Sequence, residues 1–308
     1  MKVRTALFNI TCRALYESFA PDMIVRLAKI VMPGYDLHAR TGIPDNIPVT
    51  AQAAAQQVLR DVAEAGLYLP FVESLSLVNE QGYMGRECRV HLLPQIHKQI
   101  AAEGYAFDPG TGLFMEDARE TATPTWGRLV EGEDRQVAFL RMDVVKNSEL
   151  VRKNPQAAVS EAFKAFRRTV ERAVISRSGR VWTWEGDGCL CAFVFGSKET
   201  AALLSGMEIL HELYFYNRLA NPMKDPLVVR MAAHSGSCRY WATPAALMKE
   251  ETVRETLSVE SSFAKPGFLA ATTSAYLPVD RLIQDRFGPE RTCGSFKLRS
   301  YSIALEGA

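Results

Sequence analysis

Residues 180–195, RVWTWEGDGCLCAFVF, place two apolar, β-prone runs on either side of a Gly-Asp-Gly turn, a pattern that reads as a β-hairpin and not as a helix. A hairpin cannot bury its own apolar side chains, so neighbouring segments must complete the sheet and cover it. Upstream, 137–145 (VAFLRMDVV) is apolar like a core strand. Between them, 156–178 spaces Val159, Phe163, Phe166, Val170 and Val174 along one helical stripe, with Gly179 in the position that ends a helix. Downstream come a second amphipathic helix (197–219), a strand (227–234), a helix (250–265), a strand (268–272) and a terminal strand (296–305, FKLRSYSIAL). The order β-α-β-β-α-β with additions predicts a ferredoxin-like α+β domain, an antiparallel sheet with helices on one face.

The first third has a different rhythm. Asp22 is placed to cap a helix through Val31, Thr50 to cap another over 51–65 stopped by Gly66, and 91–102 carries apolar residues at helical spacing. Pro124, two glycines and a charge cluster then interrupt the pattern at 121–135, TATPTWGRLVEGEDR. The expected organisation is a mainly helical domain at 1–120, a linker at 121–135 and the α+β domain at 136–308. The helical part shows no constellation of catalytic residues, which leaves it docking a protein partner or dimerising.

With 36 Lys and Arg against 35 Asp and Glu, the net charge is +1 and unblocked, so no global field draws nucleic acid or an anionic membrane. No apolar run approaches a membrane span or a signal-peptide core, and a cytosolic protein is expected. The six cysteines lack paired zinc spacing and read as reduced thiols, with Cys189 and Cys191 on one strand face. The five histidines show no metal-type clustering.

Two acids stand out by position. Asp143 ends an apolar strand, and Asp187 occupies the hairpin turn. Two carboxylates on rigid elements, with the Val144 carbonyl, make a hard oxygen site suited to Mg²⁺ or Mn²⁺ carrying a triphosphate. The following loop, 144–148 (VVKNS), would offer backbone amides, Asn147 and the Ser148 hydroxyl to phosphate oxygens.

Taken together, these features resemble the catalytic domain of class III nucleotide cyclases. That family has a strand ending F-x-D-x-x-x-x-[ST]; Asp143 and Ser148 keep its spacing, with Leu140, three residues before Asp143, set against the Phe, and its metal aspartates are forty-four residues apart, as here (187 − 143 = 44). VRMAAHSG (229–236) resembles its V-R-x-G-x-H-x-G strand, and EETVRETLSVESSFAKPG (250–267) its helix D-A-V-N-x-x-x-R-I-E…A-K-P-G. The resemblance implies a homodimer that binds a nucleoside triphosphate with two Mn²⁺ or Mg²⁺ ions and closes it to a 3′,5′-cyclic monophosphate, each site drawing on both subunits.

The departures bear on substrate. The family's transition-state Asn falls at Arg254 and its Arg at Ser258, so Arg254 is the candidate catalytic cation. Its purine-reading Lys is Thr183, and the second base-reading position falls near Leu247. Lacking that pair, the chain resembles the pyrimidine cyclases of bacterial anti-phage signalling, with UTP, then CTP, as the expected substrate. The C-terminal phosphate cation would be Lys297 or Arg299. Alternatives are an adenylate cyclase and a degenerate, nucleotide-binding sensor.

Overall fold

Thr50 and Gly66 illustrate how local chemistry sets the first unit of the structure, a computed structural model describing residues 3–303. The Thr50 hydroxyl accepts from the Ala53 amide at 3.2 Å, and the helix it opens closes before Gly66, whose φ of +72° only glycine adopts cheaply. The chain divides at Thr121/Ala122 into two compact units. The first comprises Thr5–Ser18 (α1), Pro21–Val31 (α2), Leu37–Thr41 (α3), Ala51–Glu64 (α4), Tyr68–Gln81 (α5) and Leu93–Ala101 (α6), followed by the antiparallel pair Tyr105–Asp108 (β1) and Leu113–Glu116 (β2). Leu15, Ile24, Leu27, Leu59, Phe71 and Ile96 are fully buried in its core. α2 opens on Pro21 at its first turn rather than on an Asp22 cap, and the β1–β2 hairpin has no counterpart in the helical expectation.

The second unit runs Asp134–Val144 (β3), Asn147–Lys153 (α7), Gln156–Ile175 (α8), Arg180–Glu185 (β4), Gly188–Phe193 (β5), Lys198–Leu219 (α9), Val229–Arg239 (β6), Pro244–Leu247 (α10), Glu251–Phe263 (α11), Leu269–Thr272 (β7), Thr273–Tyr276 (α12), Arg281–Gln284 (α13), Arg291–Cys293 (β8) and Phe296–Tyr301 (β9). One seven-stranded sheet has the order β4-β5-β3-β6-β7-β9-β8. This is the expected α+β class, and the hairpin, the strand of Asp143 and the two long helices lie where the sequence placed them. The end of the terminal segment, 304–305, lies outside the described residues.

Helices α8 and α9 cover one face, over a core that includes Leu140, Met142, Phe166, Val170, Phe193 and Met231. Two details differ from an antiparallel sheet with helices on one face. Strands β6 and β7 are parallel. α11, which connects them, packs on the opposite face, where Val259 meets Ala232 and Ala270. A parallel pair needs a crossover connection, and α11 supplies it.

Segment 122–133 folds with the second unit. Trp126 is fully buried, its Nε1 donates to the Ser178 carbonyl at 2.5 Å, and its ring meets Trp182 and Phe195 edge-on. Gly179 also has a different role from the one its position suggests. Ser178, at φ +57°, takes the left-handed turn after α8, while a Cβ on Gly179 would lie 2.4 Å from the Phe193 ring. All six cysteines are unpaired, and Cys189 and Cys191 are buried with their sulfurs 3.8 Å apart. Among the described residues no helix is long and apolar enough to cross a membrane.

Candidate active site

Strand alternation decides which side chains meet at the end of β3. Leu140, Met142 and Val144 point into the helix-covered core, so Arg141 and Asp143 point to the opposite face. Leu140 therefore does not share a face with Asp143. The residue two before the aspartate, on its own face, is Arg141.

Pairing of β3 with β5 runs to Met142 opposite Cys189, which continues to Asp143 beside Gly188. Contacts agree, because a Cβ on Gly188 would lie 2.8 Å from the Met142 carbonyl, 2.9 Å from Arg141 Nη2 and 3.0 Å from Asp143 Oδ1. Asp187, the next residue, sits in the two-residue turn between β4 and β5, so both aspartates lie at one end of the sheet. The Asp187 carboxylate is half-buried with no hydrogen-bond or ion-pair partner among the described residues. Replacing Gly188 by alanine is expected to push Asp143 and Arg141 out of place, costing about 1–3 kcal/mol of stability. The urea midpoint of the purified variant checks this.

Asp143 is held by charges that the motifs mark only as fold signatures. Its Oδ2 accepts from Arg230 Nη2 at 3.0 Å, and Arg230 Nε pairs with Glu260 Oε1 at 2.5 Å. Arg141 lies 3.8 Å from Glu260 Oε2 and 3.5 Å from Glu185 Oε2, with its side chain 9% exposed. Burial pushes Glu260 above the ordinary carboxylate range and the nearby Asp143 charge adds to that, while Arg230 and Arg141 oppose it. A sequence signal did exist: Thr252, Thr256 and Glu260 recur every fourth residue on the buried side of α11, an unusual place for a charge.

Among the described residues no group of three or more His, Cys, Asp or Glu side chains could hold a metal. A metal ion here would have two carboxylates and a backbone carbonyl as donors, with water and phosphate oxygens left to complete a hard-cation shell. These residues fit such an ion. Among the described residues Asp143 Oδ1 has no hydrogen-bond partner, and the missing Cβ of Gly188 leaves room beside it.

The other expected residues are distributed unevenly. Val144 is buried at the strand end. Asn147 opens α7 with its Oδ1 buried and unpaired, and Ser148 is exposed. Thr183 lies on β4 opposite Leu190, just past a bulge, its Oγ1 buried and unpaired. Arg254 is exposed on α11, six residues or about 9 Å along the axis from Glu260, and reaches no described partner. Lys297 lies on β9, three strands or about 14 Å from β3, and pairs with Glu290 at 3.6 Å. Arg299 stacks over Tyr276 at 4.8 Å on the helix-covered side. Within one chain neither Lys297 nor Arg299 reaches the aspartates.

The aromatics are packing groups: Trp182 sits among Trp126, Phe139 and Tyr240, and Trp184 against Phe166. His234 bonds Glu255 and Thr272 at 3.0 and 2.9 Å, and burial lowers its pKa despite the Glu255 charge.

No family profile matches this sequence, and no curated protein matches it either. Solved structures similar to part of it include the guanylyl cyclase domain of the RhoGC fusion protein from the aquatic fungus Blastocladiella emersonii, at 12% identity, 56% of this chain, 97% of that chain and a TM-score of 0.46. The adenylyl cyclase CyaB from P. aeruginosa is similar at 14% identity, 58% of this chain, 100% of that chain and a TM-score of 0.48. An adenylate/guanylate cyclase/hydrolase from Silicibacter pomeroyi is similar at 17% identity, 56% of this chain, 99% of that chain and a TM-score of 0.45.

Proposed function

We propose that the second unit is the catalytic domain of a metal-dependent nucleotide cyclase that works as a homodimer, converting UTP, and next CTP, to the 3′,5′-cyclic monophosphate and pyrophosphate. The observation that carries this is the placement of Asp143 and Asp187 at one end of the sheet with carboxylate oxygens left unengaged. Mg²⁺ or Mn²⁺, when bound, supplies charge to the triphosphate and makes the ribose 3′-OH a better nucleophile. Asp143 and Asp187 would hold the ions, with the Val144 carbonyl. Asn147 and Ser148, on the turn that follows, would meet phosphate oxygens. Arg254, solvent-facing in one chain, would serve the α-phosphate of a second copy.

The pyrimidine choice rests on Thr183 standing where a purine-reading lysine would be. A small cyclic pyrimidine nucleotide would then act as a second messenger, in keeping with an anti-phage role. ATP is the competing substrate. A second reading, a nucleotide-binding sensor without turnover, is favoured by Arg230 occupying Asp143 Oδ2 and by Ser258 at the transition-state position.

Incubating the full chain with each ribonucleoside triphosphate and Mn²⁺, with products identified by mass spectrometry, separates these readings. Cyclic UMP or cyclic CMP is expected in excess over the purine products at equal substrate. Preferential cyclic AMP would end the pyrimidine assignment alone, and no cyclic product from any nucleotide would favour the sensor.

A further inference from the structure

At the edge of the sheet remote from the hairpin, a cavity of about 370 Å³ opens beside β8 and β9. That volume lies within the range of small-molecule sites. Three basic residues from separate parts of the chain are in its lining: Lys265 after α11, Arg286 after α13 and Arg291 at the start of β8. Phe263, Phe268 and Ser300 also contribute to its wall, and among the described residues no acid lines it.

Neighbouring basic residues are engaged. Lys297 pairs with Glu290, Arg281 lies 3.9 Å from Asp285, and Arg299 donates to the Gly288 carbonyl. The three cations of the cavity have no hydrogen-bond or ion-pair partner among the described residues. All three are exposed, so water screens their mutual repulsion, and two of them are guanidiniums, whose planar forks match phosphate oxygens. In a chain with net charge +1, that concentration is local and not a general basic surface.

We propose that this cavity is a binding site for a phosphate-bearing anion, with Arg286, Arg291 and Lys265 on the phosphate and the Phe263 and Phe268 rings beside whatever the phosphate carries. It lies three to four strands from β3, about 14–19 Å, so in one chain it is separate from the aspartate site. It does not depend on the cyclase assignment.

Calorimetric titration of the full chain in EDTA tests it, with inorganic phosphate, pyrophosphate and uridine 5′-monophosphate as three separate ligands. EDTA removes the ions that a polyphosphate would need at Asp143 and Asp187. At least one ligand should bind, more weakly as salt rises. Arg286→Ala and Arg291→Ala should each weaken it about tenfold with unchanged melting temperature, while Asp187→Ala leaves it unaffected. Pyrophosphate binding above phosphate would assign a polyphosphate, and tighter uridine monophosphate binding would assign a nucleotide. Absence of binding by all three at millimolar concentration overturns the proposal. So does binding that survives the Arg286→Ala/Arg291→Ala double substitution.

Discussion

Asp187→Ala is expected to lower cyclase turnover on the order of a thousandfold, the loss of several kcal/mol of transition-state stabilisation when a metal ligand goes. Asp187 has no described partner to lose, so stability should change by no more than about 0.5 kcal/mol. Asp143→Ala should be equally inactive but less innocent. It leaves Arg230 with Glu260 alone, at a cost of about 1–3 kcal/mol. Near-normal turnover in folded Asp187→Ala would remove the metal assignment. Because Arg254 faces solvent in one chain, the same experiment extends to subunit sharing. Asp143→Ala and Arg254→Ala proteins, each inactive alone, should recover about a quarter of wild-type activity when mixed. Half the dimers are then mixed, and each of those has one intact site. No recovery despite proven subunit exchange would place the catalytic cation elsewhere.

The largest stability effect is expected at Trp126. Trp126→Ala removes a fully buried indole, its hydrogen bond to the Ser178 carbonyl, and ring contacts to Trp182 and Phe195. Emptying such a site typically costs about 3–5 kcal/mol, a large part of what holds a domain of this size together. Trp126→Phe should recover part of it. Chemical denaturation followed by circular dichroism measures both variants. A loss under about 1 kcal/mol for Trp126→Ala would mean that the segment 122–133 is a dispensable strap.

Trp126 also marks a limit of sequence reading. Pro124, Gly127 and Gly132 break periodicity and read as a connection, yet only long-range packing can put an indole from that segment into a core. Gly179 teaches the same lesson, since its position after a helix suggests a turn, whereas the Phe193 ring is what excludes a side chain there.

What the sequence by itself determined is the local and periodic part: the hairpin around Asp187, the strand that carries Asp143, the stripe of α8, and the Thr50 cap. These depend on turn chemistry and on periods of 2 and 3.6, which neighbouring residues write directly. Only the tertiary structure decided which charges meet. It set Arg230, from a strand far along the chain, against Asp143, and Glu260, from a later helix, against Arg230 and Arg141. It also left Lys297 and Arg299 out of reach and gathered Lys265, Arg286 and Arg291 instead. Sheet order and the α11 crossover set those distances, and both follow from how the whole apolar surface is buried, which no local window contains.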